Sequence, residues 1–245
     1  MRLTQSQINK YEQNGYHLYG RLISDTEADR LGRIYLDCLE EYEAPHPSQG
    51  VRKIMHDTQG AGFYQLRCAH LMDAGFDALI RDEGLLDAVE SLIGSNIRII
   101  ICQGLYKPPH SGDEIRWHQD DYYFQVNKAN AVVSCWLSFD DATVDSGCMW
   151  VIPGGHKTMM AHETVPSGTG FYMPDAEEST GLPVELPRGH CLLHHGLIPH
   201  RTLANTTSSH RRALAIHFMD ATASPAEARR QEPPENTPIV RGTGI

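Results

Sequence analysis

The chain has no Cys-x-x-Cys pair, no stretch of 18 apolar residues, no internal repeat, and no excess of basic side chains. Each absence removes a class. Six scattered cysteines (Cys38, Cys68, Cys102, Cys135, Cys148, Cys191) in a chain of 245 residues form neither a disulfide framework nor a zinc-ribbon spacing. Four of them sit inside apolar runs, as buried free thiols do. Without a long apolar run there is no membrane-spanning helix. The opening MRLTQSQINKYEQNG lacks the apolar centre of a secretory signal, so a cytoplasmic protein is expected. Twenty-one Lys and Arg stand against 31 Asp and Glu, a formal charge of −10. That balance argues against nucleic acid as a partner, because clustered cations are needed to displace phosphate counterions. An anionic ligand would need a local positive group acting against the global field.

Hydrophobic residues make up 40% of the chain and charged residues 21%, ordinary globular usage for one domain spanning 1–245. The first part, to about residue 95, reads as helical. Thr4 with Gln7, and Ser24 with Glu27, match capping boxes. After Ser24, the positions Ala28, Leu31, Ile34, Tyr35 and Cys38 recur at helical spacing. Tyr16–Tyr19 reads as a short strand between these helices, 42–50 as a loop, and Leu85–Ile93 as a further helix ended by Gly94.

From Asn96 the pattern becomes β. IRIIICQGLY (97–106), AVVSCWLSF (131–139), CMWVIPG (148–154), HCLLHH (190–195) and RALAIHFM (212–219) are strand candidates separated by turn residues. Helices followed by short strands predict an α+β, mainly β chain: a jelly-roll core over about 96–220 with flanking N-terminal helices. Residues 156–187 read as a long functional insertion, since structureless loops of that length are uncommon without a role. The tail 221–245, rich in Pro, Glu and Arg, reads as an extended or disordered arm.

Chemistry concentrates in the histidines. Among 14 of them, roughly one His-x-Asp arises from composition alone, so His118-Gln119-Asp120 proves nothing in isolation. If 117–120 are extended, however, both side chains point to one face. An imidazole beside a carboxylate offers two adjacent metal ligands. A second histidine from another strand would complete the two-His-one-carboxylate triad of non-haem Fe(II) oxygenases, which leaves coordination positions open. His200, between two apolar strands, is the best-placed candidate, with His194, His195 and His217 as competitors. Eleven and twelve residues later stand Arg211 and Arg212, of which only one can face inward on an alternating strand. An inward guanidinium would hold a carboxylate through two parallel charge-assisted bonds; its neighbour, Arg212, is expected to be exposed. Tyr122, Tyr123, Phe124 and Phe171 suggest an aromatic-lined site, with residues 55–67, 106–116 and 156–182 around its mouth.

The stretches WHQDDYYF (117–124), AVVSCWLSFDDATVDSGCMWVIPGGHK (131–157) and HHGLIPHRTLANTTSSHRRALAIHFM (194–219) resemble the phytanoyl-CoA dioxygenase family of Fe(II)- and 2-oxoglutarate-dependent oxygenases, as does the N-terminal TQSQINKYEQNGYHLYGRLIS. The resemblance implies a double-stranded β-helix, the cupin-like jelly roll. It also implies that His118, Asp120 and His200 bind iron, and that Arg211 pairs with the distal carboxylate of 2-oxoglutarate. Thr202 would assist the same carboxylate and Trp136 would pack beside the cosubstrate. Gln103 or Arg67 would supply a further polar contact. Pro153-Gly154-Gly155-His156 replaces the family's Pro-Gly-Ser-His and is expected to close a hairpin. With Asp120 in place no halide position is open, so hydroxylation of a small molecule with O2 is the implied reaction and halogenation is disfavoured. Two other classes share these features: a metal-dependent cupin-like isomerase or hydrolase without 2-oxoglutarate, and a non-enzymatic jelly-roll binding module.

Overall fold

The computed structural model describes residues 2–41, 50–54, 63–110, 114–165, 170–229 and 232–242. In chain order the elements are α1 (Gln5–Asn14), β1 (Tyr16–Arg21), α2 (Asp25–Glu41), β2 (Gly50–Ile54), β3 (Phe63–Arg67), α3 (Ala74–Ile80), α4 (Glu83–Ile93), β4 (Ile97–Lys107), β5 (Ile115–His118), α5 (Asp120–Phe124), β6 (Val132–Ser138) and β7 (Met149–Val151). They continue as β8 (Glu163–Thr164), β9 (Phe171–Tyr172), β10 (Leu182–Val184), β11 (His190–His195), β12 (His200–Thr202), β13 (Arg211–Asp220) and β14 (Ile239–Arg241). The helix starts follow from local chemistry. Thr4 and Gln7 close their capping box on α1, and Gly15 ends it at φ 82°, a conformation that favours glycine. Ser24 accepts from the Glu27 amide at 3.1 Å. α4 begins two residues before its sequence signal, where Asp82 accepts from the Leu85 amide at 2.8 Å, and it ends at Gly94. The seven-residue α3 was not expected: it is too short for its apolar positions to show a period.

Two sheets form the jelly roll, the double-stranded β-helix expected. The larger runs β1-β11-β6-β13-β4-β3-β2, with β14 also on β4; the smaller runs β10-β7-β12-β5. Alternation along the central strands sorts their side chains between two cores. Val133, Cys135 and Leu137 of β6 and Leu214, Ile216 and Phe218 of β13 pack with α2, α3 and α4. Trp136, Ala213 and Ala215 point the other way, into the space between the sheets, against Met149, Val151 and Val184. All six cysteines are buried free thiols.

Three expectations need correction. Arg212 is buried, not exposed: β13 lies inside the large sheet, and α2 covers its outer face. There Arg212 pairs with Asp140 at 2.6 Å, in the space left by Gly32, where an added Cβ would come within 2.9 Å of the guanidinium. Residues 156–187 are not structureless, because β8 and β9 pair as a hairpin and β10 joins the small sheet through β7; 166–169 lie outside the described residues. The tail packs rather than trailing: β14 pairs β4, and Glu232 forms a buried ion pair with Arg67. The Pro-Gly-Gly-His turn docks α1, through the Gly154 amide on the Asn14 carbonyl at 2.9 Å and the His156 ring near the Glu12 carbonyl at 3.1 Å.

Candidate active site

β5 delivers His118, and the chain stays extended through Gln119 (φ −119°, ψ 129°) before α5 opens at Asp120. His118 and Asp120 therefore reach the same side, as the two-residue period requires. β12 pairs β5 with His200 directly opposite His118, and the two rings lie 4.1 Å apart. Asp120 Oδ1 stands 3.8 Å from His118 Nε2 and 3.6 Å from His200 Nε2. One ligand atom from each of the three side chains falls within 4.8 Å of the others, and no other such group occurs among the described residues.

The ring orientations are set from behind. His118 Nδ1 lies 2.8 Å from the Arg116 carbonyl, and His200 Nδ1 lies 3.0 Å from that of Ile198. Nδ1–H donates in each case, so both Nε2 lone pairs face the centre, the tautomer that a metal ligand needs. Burial, reinforced by His200, pushes His118 down to about 3. Burial, again with His200 beside it, does the same to His194, also to about 3. Burial alone would raise Asp120, but the imidazoles of His217, His200 and His194 hold it well below the usual carboxylate range. The ionised, buried Asp120 carboxylate beside the His118 and His200 Nε2 atoms is a donor set that a divalent cation fits.

A cavity of about 170 Å3 opens on this centre. His118, Asp120, His194, His200 and His217 form its polar end, and Phe63, Tyr123, Phe124, Val165 and Phe171 form apolar wall. Thus Tyr123, Phe124 and Phe171 sit as expected. Tyr122 does not; it stacks on His162 at 4.0 Å. Of the segments expected at the mouth, Gln65, Arg116 and Gly170 contribute wall residues, while 55–62 and 111–113 lie outside the described residues.

Trp136 and Thr202 also line the cavity. Arg211 stands behind this wall, its guanidinium 5.7 Å from the centre of the Trp136 ring. It is only 1% exposed. Its Nε and Nη1, Thr202 Oγ1 and Trp136 Nε1 are all buried without a hydrogen-bond partner. Burial lowers Arg211 to about 10. A buried cation with unused donors is a group that an anion fits. Gln103 and Arg67 have protein partners instead: Gln103 contacts His217 and Gln65, and Arg67 Nε donates to Glu232 at 2.7 Å. Ser134 escaped the sequence reading. Ser134 is two residues from Trp136 on β6, so its place on the inner face was implicit in the strand period.

A jelly roll that brings together two histidines, from β5 and β12, and one carboxylate, at the start of α5, has the ligand arrangement of non-haem iron oxygenases. The model of the phytanoyl-CoA dioxygenase family matches residues 11–213, and the chain belongs to that family. It is 24% identical over 264 residues to phytanoyl-CoA dioxygenase domain-containing protein 1 of Danio rerio, covering 89% of this chain and 91% of that one. To the Mus musculus protein of the same name it is 29% identical over 187 residues, covering 73% of this chain and 60% of the mouse protein. Among solved structures it is similar to the non-haem alpha ketoglutarate dependent carbocyclase SnoK from nogalamycin biosynthesis, with TM-score 0.80, 23% identity and coverage of 97% and 96%. It is also similar to the epimerase SnoN, solved with Fe3+, alpha ketoglutarate and nogalamycin RO, with TM-score 0.78, 20% identity and coverage of 97% and 98%. These two likenesses concern the fold.

Proposed function

We propose that the protein is an Fe(II)- and 2-oxoglutarate-dependent oxygenase that oxidises a small molecule, with hydroxylation as its reaction. The observation that carries this reading is the convergence of His118 Nε2 and His200 Nε2 on Asp120 Oδ1, with the unpartnered Arg211 guanidinium near the same cavity. When bound, iron and 2-oxoglutarate supply the oxidising power, with O2 consumed and the cosubstrate converted to succinate and CO2. His118, Asp120 and His200 would hold the metal, a ligand set of the kind that keeps positions free for substrate. Arg211 would hold the distal carboxylate of 2-oxoglutarate, with Thr202 as a further donor and Trp136 as the apolar wall beside it. Phe63, Tyr123, Phe124 and Phe171 position the substrate and keep water from the reacting end.

SnoK and SnoN are named as a carbocyclase and an epimerase. Ring closure or epimerisation would use the same ligands and differ only in the fate of the substrate. An isomerase or hydrolase with these ligands has no use for a buried unpaired guanidinium, which favours the 2-oxoglutarate reading.

Anaerobic titration of metal-free protein with Fe(II) and 2-oxoglutarate tests it. A visible charge-transfer band should appear, and admission of O2 should release succinate. His118→Ala, Asp120→Ala and His200→Ala should each abolish both signals. Succinate at the normal rate from His200→Ala would move the third ligand to His194 or His217, and turnover without O2 would remove the oxygenase reading.

A further inference from the structure

The two oxygens of Asp120 have different surroundings. Oδ1 faces the two imidazoles described above. Oδ2 lies 3.1 Å from Ser134 Oγ and 3.3 Å from His217 Nδ1. β6 and β13 pair with Ser134 opposite His217, so the two groups arrive at that oxygen together. They touch one another at 2.7 Å.

The hydrogen positions follow from the charge. An ionised carboxylate only accepts, so the single Ser134 hydroxyl hydrogen goes to Oδ2. The contact between Ser134 Oγ and His217 Nδ1 then needs its hydrogen on Nδ1, which also faces Oδ2. His217 Nε2 faces the Gln103 amide nitrogen, which only donates, so Nε2 accepts. The donor to it is Gln103 Nε2, at 3.1 Å. The Gln103 carbonyl oxygen in turn accepts from the Gln65 amide. Four hydrogen bonds thus run in one direction, Gln65 to Gln103 to His217 to Ser134 to Asp120, and each donor meets an acceptor.

We propose that His217 is a positioning residue of the metal site, and that Gln103 and Gln65 act on Asp120 through its ring rather than as contacts to the cosubstrate. The proposal rests on reading His118, Asp120 and His200 as the ligands. By occupying Oδ2, His217 and Ser134 stop the carboxylate from turning and leave Oδ1 aimed at the histidines. Gln103 fixes which His217 nitrogen bears the proton, and Gln65 fixes which end of the Gln103 amide faces the ring. Partners one step outside a ligand shell commonly change metal affinity by about 10- to 100-fold.

The test is a thermodynamic cycle on Co(II) affinity, read from the visible absorption of Co(II) added to metal-free protein. His217→Phe keeps a ring but removes both nitrogens, and should weaken Co(II) binding by about 10- to 100-fold. Gln103→Leu should weaken it several-fold. Gln103→Leu/His217→Phe should bind Co(II) as His217→Phe does, because the glutamine acts only through the ring. Titration of 2-oxoglutarate into the Co(II) forms should show the same non-additivity. A Gln103→Leu loss that persists in the His217→Phe background would make Gln103 a direct cosubstrate contact and overturn the proposal. So would wild-type Co(II) affinity in His217→Phe. Nitrogen NMR of the wild-type metal-free protein should place the His217 proton on Nδ1; a proton on Nε2 overturns the chain even if every variant folds poorly. If the wild type takes up no Co(II) while the tautomer is as stated, the ligand reading has failed and the proposal falls with it.

Discussion

Replacing Arg211 by methionine perturbs a side chain that contributes opposite effects to folding and to binding. In the ligand-free protein the guanidinium is buried with Nε and Nη1 unpartnered, and burial lowers it to about 10. That lies at least two pH units below an ordinary arginine, which at about 1.4 kcal/mol per unit corresponds to roughly 3 kcal/mol of destabilisation. The direction matters. A base whose folded value is depressed penalises the native state at every pH below about 10, and the penalty is relieved only as pH rises through that value. At pH 8 it is therefore fully present. Arg211→Met removes it and loses the cation–π contact with Trp136, about 0.5–1 kcal/mol, along with some packing. The ligand-free variant should be about 1–2 kcal/mol more stable than the wild type. Saturating 2-oxoglutarate with Co(II) under anaerobic conditions should reverse the order. At about 100 times its dissociation constant, a ligand adds about 2.7 kcal/mol to the wild type, while the variant, without its ion pair, should gain almost nothing at the same concentration. Urea unfolding with and without 2-oxoglutarate, in buffer free of phosphate and carboxylate, measures both. Equal stabilisation of the two proteins by 2-oxoglutarate would refute the assignment of Arg211, and a ligand-free variant less stable than the wild type by over about 1 kcal/mol would refute the burial argument.

Acid should destabilise the metal-free protein. Burial lowers His118 and His194 to about 3 and His195 to about 4, whereas in the unfolded chain imidazoles protonate near 6.5. The unfolded state thus binds more protons between roughly pH 6.5 and 3, and each ring costs up to about 1.4 kcal/mol per pH unit as pH falls through that window. A urea midpoint unchanged from pH 7 to 5 would contradict this. Asp140→Ala leaves the Arg212 guanidinium buried without its carboxylate and should cost about 3 kcal/mol, while Co(II) affinity stays at the wild-type value. Gly104→Ala puts a Cβ 1.8 Å from the ring of buried Tyr35; the resulting overpacking between α2 and the sheet should lower stability by about 1–3 kcal/mol, read from the thermal midpoint.

Most of the site was legible because its signals are local. His-x-Asp on an extended segment places two side chains on one face whatever the rest of the chain does, and β-branched runs bounded by turn residues mark their own strands. His200 could be proposed only by its position between two strands, with His194, His195 and His217 as rivals. Pairing of β12 with β5 sets His200 opposite His118, a register that no local pattern encodes. The same applies to the arginines. Strand alternation determined that Arg211 and Arg212 point to opposite faces, but exposure depends on what covers each face, and α2 lies over the outer one.

By itself, then, the linear chain determined periodicity: which residues share a face, where helices are capped, and that His118 and Asp120 are adjacent candidate ligands. Only the tertiary structure decided which faces meet. His217, Ser134, Gln103 and Gln65 come from four strands, and Glu232 reaches Arg67 from 165 positions away. A hydrogen bond between such residues depends on sheet register and packing, which long-range contacts set and no window of neighbouring residues encodes.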